Sequence, residues 1–145
     1  MTSFTPSGLA ADAGLLIVLG RLLAVAAPEE GCALLLGDGA RSVWRLRRLW
    51  PCCNVWPEPG ERHERFAIDP REQLVAQRWA RERGWQVLGV AHSHPSSAPV
   101  PSRTDCSLCL PPALMVIQGV EAELLAWWLA DADRQPRLLP WRMGD

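Results

Sequence analysis

The stretch over residues 87–109 constrains the fold of this chain more than any other. It begins with an apolar run over residues 87–91, which is typical of a buried β-strand. The run ends in His92-Ser-His94-Pro95, and Pro95 stops the strand because proline has no backbone N–H to donate. Side chains alternate between the two faces of a strand, so His92 and His94 must project to the same side.

A helix start follows the two histidines. Pro99 and Pro101 keep the intervening loop extended, and Ser102-Arg-Thr-Asp105 is typical of a helix N-terminus with Ser102 as its N-cap. Such a loop can bring the carboxylate of Asp105 back over the imidazoles. Two neutral imidazoles and one carboxylate are a common ligand set for catalytic zinc. Structural histidines and a plain capping box are the alternative, but two of the chain's three histidines lie here, which favours a metal site.

These motifs resemble a known family signature. His-Ser-His-Pro, six further residues and then Ser-x-x-Asp is similar to the signature of the JAMM (MPN-plus) metalloproteases. That family also has a glutamate upstream in a Pro-x-Glu-x-Cys-Gly context. The segment Pro28-Glu-Glu-Gly-Cys-Ala33 places Glu30 on that glutamate, with Ala33 where the family has glycine. Asn54 and the Phe-Ala-Ile-Asp-Pro segment at 66–70 extend the resemblance over about residues 9–130.

The resemblance implies an α/β (α+β) fold like that of cytidine deaminases, with a mixed, mainly antiparallel sheet flanked by helices, in a single domain over residues 1–145. It also implies a zinc-dependent metallopeptidase or isopeptidase. Zn²⁺ would lie on His92, His94 and Asp105, with Glu30 as general base and Ser102 as the hydroxyl that stabilises the oxyanion. Small members of the family act on ubiquitin-like (β-grasp) sulfur-carrier proteins at a C-terminal Gly-Gly, so such a carrier or a peptide is the expected substrate.

Three other functions stay open at this point. A non-catalytic MPN-type scaffold would need a missing ligand, whereas the full set is present. A peptidase that acts on peptides, including cell-wall amides, would use the same site. A thiol redox protein would depend on Cys106-Ser-Leu-Cys109 alone.

The five cysteines allow several roles. Cys106 and Cys109 form one C-x-x-C, and Cys52 and Cys53 are adjacent, whereas a structural zinc site usually needs two C-x-x-C pairs. Buried structural thiols, redox-sensitive thiols and metal ligation therefore remain possible for these four. Cys32 lies in an apolar run and is expected in the core.

Composition excludes several functional classes. A chain of 145 residues that is 48% hydrophobic suits one globular domain. The net charge of −1 gives no indication of a nucleic-acid partner. All fifteen basic residues are arginine and tyrosine is absent, which excludes a catalytic lysine or tyrosine. The sequence assigns no oligomeric state.

The N-terminal region predicts a cytoplasmic protein. Residues 1–7 lack the basic segment of a signal peptide. Residues 9–27 are apolar, but Asp12 and Arg21 interrupt them and leave too short a run to span a membrane. We therefore expect a buried helix that leads to Pro28, and no membrane partner.

The remaining elements follow from periodicity and turn residues. Strands are expected over 31–37 and 42–50, joined by an Asp38-Gly39 hairpin, with a loop over 51–64 that leaves His63 at the surface. Strands are also expected over 113–118 and 123–129, and residues 138–143 form either a last strand or a tail. A helix should begin at Pro70 and end at Gly84. Its predicted sheet-facing stripe consists of Leu74, Val75, Arg78 and Trp79, and the basic patch of Arg45, Arg47 and Arg48 is either a solvated strand face or a surface for an acidic partner.

Overall fold

Central strands form where continuous apolar runs bury both faces. Strand β2 (Cys32–Asp38) pairs antiparallel with β3 (Val43–Cys52) across the predicted turn, where the Asp38 side chain accepts the N–H of Ala40. On its other edge β2 pairs antiparallel with β4 (Gln86–Ser93). Every residue of β2 before Asp38 is buried, as expected for a strand that is covered on both sides.

The computed structural model describes residues 5–143, and its strands form one sheet in the order β7-β6-β5-β4-β2-β3-β1-β8. The β4–β5, β1–β3 and β1–β8 pairs are parallel and the other four are antiparallel, so the predicted mixed, mainly antiparallel sheet is confirmed. Residues 1–4 and 144–145, the two ends of the expected domain, lie outside the described residues. The first four also belong to the segment that is expected to lack the basic region of a signal peptide. The other elements are β1 (Gly8–Ala11), α1 (Ala13–Ala24), a 3-10 turn (Pro59–Glu61), α2 (Pro70–Arg81), α3 (Arg103–Leu108), β5 (Ala113–Gln118), β6 (Leu124–Leu129), β7 (Pro136–Leu139) and β8 (Trp141–Met143).

Helices cover both faces of this sheet. Leu35 of β2 packs in the same cluster as Leu19 and Leu23 of α1. Its neighbours Leu34 and Leu36 point to the opposite face and pack in a second cluster with α2. The period of two along one apolar strand therefore places α1 and α2 on opposite sides of the sheet.

The N-terminal apolar stretch is not one helix, which corrects the expectation for residues 9–27. Residues 8–11 form β1, which lies between β3 and β8 and pairs parallel with both. The helix begins only at Ala13, because the extended backbone of Asp12 ends the strand and serves as the N-cap. Among the described residues, no helix is long and apolar enough to cross a membrane.

Helix α2 begins at Pro70 as predicted, but the prediction of which residues face the sheet is wrong. Leu74 and Val75 are 65% and 54% exposed, and the buried positions are Ala76 and Ala80. Small alanine side chains let the helix approach Leu34 and Leu36 closely, so the larger residues of the first turns face solvent. Trp79 alone of the predicted stripe packs against this cluster.

Two further expectations change in detail. Strand β3 continues to Cys52, so the predicted loop starts later and contains the 3-10 turn. The C-terminal segment forms two short strands that break at Pro140, one on each outer edge of the sheet.

In the basic patch, the Arg48 guanidinium lies 5.1 Å from the centre of the Trp79 ring and Arg47 is exposed. His63 lies at the surface as predicted, with its side chain 58% exposed.

We predict that Gly89→Ala destabilises the fold by roughly 1–3 kcal/mol, because a Cβ at this point of β4 would overlap the Leu114 carbonyl of β5. Chemical unfolding measures the difference. Gly14→Ala is the matched control, since a Cβ there meets nothing within 4 Å and alanine favours a helix. Equal stability of the two variants would contradict the close approach of β4 and β5.

Candidate metal centre

Strand pairing fixes the two histidines at the end of β4. His92 lies in register with Cys32 of β2 on one edge and with Ile117 of β5 on the other. His94 follows the end of the strand, and its backbone N–H donates to the carbonyl of Gln118 at 2.7 Å. Both imidazoles are buried and project to the same side, as the strand period predicts.

The predicted capping box of α3 holds the third residue. The Oγ of Ser102 accepts the N–H of Asp105, and the Ser102 N–H donates to Oδ2 of Asp105, both at 2.9 Å. This reciprocal pair fixes the carboxylate at the first turn of the helix. Asp105 is itself buried, although α3 lies at the surface.

The three side chains meet in one compact cluster. Oδ2 of Asp105 is 3.2 Å from Nε2 of His92 and 3.0 Å from Nε2 of His94, and the two Nε2 atoms are 3.3 Å apart. These residues could hold a metal ion. Tetrahedral zinc with ligand distances of 2.0–2.1 Å separates its ligand atoms by about 3.3 Å. The sides of the observed triangle therefore match the size of such a site.

Hydrogen bonding at His94 supports the same conclusion. Nδ1 of His94 lies 2.8 Å from the carbonyl oxygen of Ala98, which can only accept, so Nδ1 carries a proton. In a neutral imidazole, Nε2 then presents its lone pair to the carboxylate oxygen of Asp105. Two lone pairs at 3.0 Å repel each other unless a cation or a proton lies between them. The donor set of this cluster therefore fits Zn²⁺.

Electrostatics at the cluster favour a bound cation. Burial alone would raise the pKa of Asp105, but hydrogen bonds from His92 and His94 outweigh burial and hold that pKa below its usual range. Burial would lower the pKa of His94, whereas its contacts with Asp105 and Ala98 raise it overall. The Asp105 carboxylate is thus ionised, which is the state in which it can bind a divalent metal, and metal binding would displace the proton that the raised pKa favours on His94.

Glu30 lies beside the cluster without being one of its ligands. Its side chain is 3% exposed, and within residues 5–143 its Oε1 atom has no hydrogen-bond partner. Burial, followed by the nearby charge of Asp105, raises the pKa of Glu30 to about 8. The sequence prediction placed Glu30 near the metal, and the electrostatic influence of Asp105 and His94 agrees with that placement.

Asn54 connects the backbone of Glu30 to the mid-chain loop. Its Nδ2 donates to the carbonyl oxygens of Glu30 and Arg65 at 3.1 and 2.9 Å, and its Oδ1 accepts the N–H of Trp56. The N–H of Glu30 donates to the carbonyl of Arg62 at 2.7 Å. The family resemblance included Asn54 but gave it no role. In the structure, Asn54 orders the loop that surrounds Glu30, the candidate general base.

Two supporting residues were not predicted. The Phe66 ring stacks on His92 with ring centres 4.6 Å apart, and Nδ1 of His92 is buried with no partner among the described residues. Ring stacking therefore orients this histidine. Ser93, between the histidines, points to the other side and its Oγ accepts the N–H of Gly31 at 2.8 Å. Phe66 belongs to the 66–70 segment noted in the sequence. Its contact with His92 could not be predicted, because ring stacking between distant residues has no characteristic sequence spacing.

The cysteines lie outside the cluster. All five are free thiols, and Cys32 is buried in the core as predicted. Cys106 and Cys109 pack beside Met115 and Ile117, and burial raises the pKa of both thiols. A thiol with a raised pKa is a poor nucleophile at neutral pH, which argues against a redox site here.

A groove of about 550 Å³ adjoins the cluster on the face that carries α2 and α3. His92 and Asp105 are among its lining residues, together with several residues of β4 and β5. Phe66, Ile68, Val90, Leu108 and Met115 give it a largely apolar wall. Its size suits a peptide segment or another ligand of similar bulk.

A family model described as prokaryotic homologs of the JAB domain matches residues 12–130. The matched range contains the three candidate ligands, Glu30 and Ser102. The chain belongs to this family. The JAMM resemblance that the motifs indicated is thereby confirmed, since it pointed to the same domain type.

Curated relatives of this prokaryotic JAB-domain chain include two archaeal proteins named desampylase. The one from Haloferax volcanii is 39% identical over 79 residues, which are 54% of this chain and 52% of the relative. The one from Pyrococcus furiosus is 31% identical over 70 residues, which are 48% and 50% of the two chains. The chain thus spans about half the length of the curated relatives it matches.

Solved structures agree on the fold. A protein of Desulfitobacterium hafniense superposes with a TM-score of 0.80 at 26% identity, covering 94% of this chain and 93% of the other. A Salinibacter ruber protein gives 0.69 at 30% identity, covering 94% and 92%. A JAB1/MPN domain protein of Archaeoglobus fulgidus gives 0.58 at 20% identity, covering 96% and 99%, and shows the fold alone. The expected MPN-type fold is confirmed.

We predict that the purified protein binds about one zinc per chain and that His94→Ala abolishes this binding, because two remaining ligands cannot hold the ion tightly. Elemental analysis under non-chelating conditions measures the metal. His63→Ala is the matched control, since this exposed histidine is not part of the cluster. Wild-type protein that takes up no zinc would contradict the site.

The buried carboxyl of Glu30 predicts a pH-dependent stability in the metal-free protein. Its pKa of about 8 in the folded state exceeds the ordinary value of 4.5, so folding favours its protonated form. This contribution is fully present below pH 4.5 and is lost as pH rises through 8. Unfolding in chelator at pH 5 and pH 9 should show a loss on the order of a few kcal/mol that Glu30→Gln reduces. Parallel pH profiles of the two proteins would contradict the assignment.

Proposed function

We propose that this chain is a zinc-dependent metallopeptidase or isopeptidase that hydrolyses an amide bond at the C-terminal Gly-Gly of a ubiquitin-like carrier protein. The observation that carries the proposal is the buried cluster of His92, His94 and Asp105 beside Glu30, whose Oε1 has no hydrogen-bond partner among the described residues. Membership of the JAB family and the two desampylase relatives support a hydrolase role. A peptide with an extended C-terminus is the related substrate of the same site.

The cluster supplies the electrophilic part of the mechanism. Zn²⁺ held by His92, His94 and Asp105 would act as a Lewis acid that activates water and polarises the scissile carbonyl. The protein keeps the ligand atoms in place through the β4 register, the Phe66 stack and the capping box of α3. Burial of all three ligands excludes bulk water from the metal's protein side.

Glu30 supplies the proton transfer. A general base works best when its pKa lies near the operating pH, and burial brings the pKa of Glu30 to about 8. Its Oε1 has no partner within the described residues, so the oxygen is available for the proton of the attacking water. The same carboxyl can then return that proton to the leaving amine, which makes one residue sufficient for both transfers.

Ser102 supplies a donor for the oxyanion. Its Oγ accepts the N–H of Asp105, so that bond uses a lone pair and leaves the hydroxyl proton free to donate. The cap also fixes the serine beside the carboxylate ligand. A single well-placed donor to an oxyanion contributes about 2.7–4 kcal/mol to transition-state stabilisation. In this proposal Ser102 therefore has both roles that were expected from the sequence: it caps α3 and it donates to the oxyanion.

A carrier protein as substrate agrees with the groove beside the cluster. The groove is open and largely apolar, and two of the three candidate ligands line it. An extended tail bound there would bring its terminal amide to the metal, while the folded carrier stayed outside. A purely structural scaffold would require none of this alignment between ligands, base and groove.

We predict that Glu30→Gln in the zinc-loaded protein lowers kcat about 10²- to 10⁴-fold and leaves zinc content unchanged, because it removes the proton acceptor and no ligand. A carrier extended beyond Gly-Gly by a short peptide is the substrate, and mass spectrometry follows the released peptide. Glu29→Gln is the matched control, because this adjacent carboxylate is not in the group of described residues that could hold the metal. Full activity of Glu30→Gln would overturn the role of this glutamate.

A further inference from the structure

Few charged side chains line the groove. Among its lining residues in the described chain, Arg65 is the one cation and Asp105 the one acid. Asp105 is already engaged by His92, His94 and Ser102. A substrate tail that lies in the groove therefore contacts an apolar wall and the positive charge of Arg65, which is not one of the candidate metal ligands.

Arg65 is tied to residues that surround the cluster. It directly precedes Phe66, whose ring stacks on the ligand His92. Its carbonyl oxygen accepts Nδ2 of Asn54, the same amide that donates to the carbonyl of Glu30. The backbone of Arg65 is thus fixed by the network that also orders the candidate base.

The side chain of Arg65 is positioned but not neutralised. Its guanidinium carbon lies 5.4 Å from the centre of the Trp56 ring, which limits its motion. Its Nε is 4.0 Å from Oε1 of Glu61, a distance at which an ion pair is weak. The side chain is 36% exposed, so the remaining charge can act on a bound tail.

We propose that Arg65 selects substrate tails by charge, so that the groove accepts an acidic or uncharged residue upstream of the scissile bond and disfavours a basic one. This inference rests on the proposed function and names the class of tail that the site takes. A like charge in a partly desolvated groove is repelled more strongly than in water, and no free acid on the lining residues compensates it.

The test uses sets of three carrier proteins that carry Glu, Gln or Arg at one position of the tail and are otherwise identical. One such set is made for each tail position upstream of Gly-Gly. At the position nearest Arg65, wild type should prefer Glu over Arg by about tenfold in kcat/KM, with the difference mainly in KM. Arg65→Glu should reverse this preference, and Arg65→Gln should bring it close to equality. Raising the salt concentration should shrink the preference in wild type.

Arg78→Glu is the matched control for charge reversal. Arg78 is on α2 with its side chain 79% exposed, and it does not line the groove. This variant should keep the wild-type preference. The same preference in wild type and Arg65→Glu at every tail position would overturn the inference, and thermal melting of each variant checks that it is folded.

Binding separates this inference from the proposed function. Affinities of the three carriers are also measured with zinc-loaded Glu30→Gln protein and its Arg65→Glu double variant, where no turnover is needed. If wild type cleaves no carrier, the proposed function fails, while the order of these affinities still decides the role of Arg65. If all carriers are cleaved and bound equally, the proposed function stands and the charge selection fails.

Discussion

One carboxylate oxygen, Oδ2 of Asp105, joins the parts of this structure that the candidate chemistry needs. It accepts the N–H of Ser102 at the start of α3 and lies within 3.2 Å of the Nε2 atoms of His92, in β4, and of His94, just after it. The capping box therefore has two consequences. It starts a short helix that could not be stable alone, and it points a buried charge at the end of the central sheet.

The sheet order makes this contact possible. β4 lies between β2 and β5, and its parallel pairing with β5 requires a crossover connection, which runs through the Pro-rich loop and α3. That crossover returns the chain over the end of β4, where the histidines project. The β2 edge brings Glu30 to the same end, because Cys32 is in register with His92. Strand pairing thus gathers ligands and base from three distant segments.

Sequence alone predicted the parts of this site that depend on short-range spacing. The paired histidines follow from the strand period, and the position of Asp105 follows from the capping box. Sequence could not predict which face of α2 meets the sheet, because two alanines bury better there than Leu74 and Val75. Nor could it predict β1, since an apolar run of four residues has no period that separates strand from helix. Phe66 on His92 is likewise a long-range contact, set by loop packing.

The site also stores unfavourable energy in the metal-free state. Glu30 is a buried carboxyl whose Oε1 has no hydrogen-bond partner among the described residues, whereas Asp105 is an ionised carboxylate that accepts hydrogen bonds from His92 and His94. Burial of the Glu30 carboxyl costs stability, while the hydrogen bonds to Asp105 offset the cost of burying its charge. A divalent metal would replace the protons between Asp105 and the two histidines, so its binding free energy would also become folding free energy. The burial that costs the metal-free protein stability is therefore the same burial that gives Glu30 a pKa suited to proton transfer.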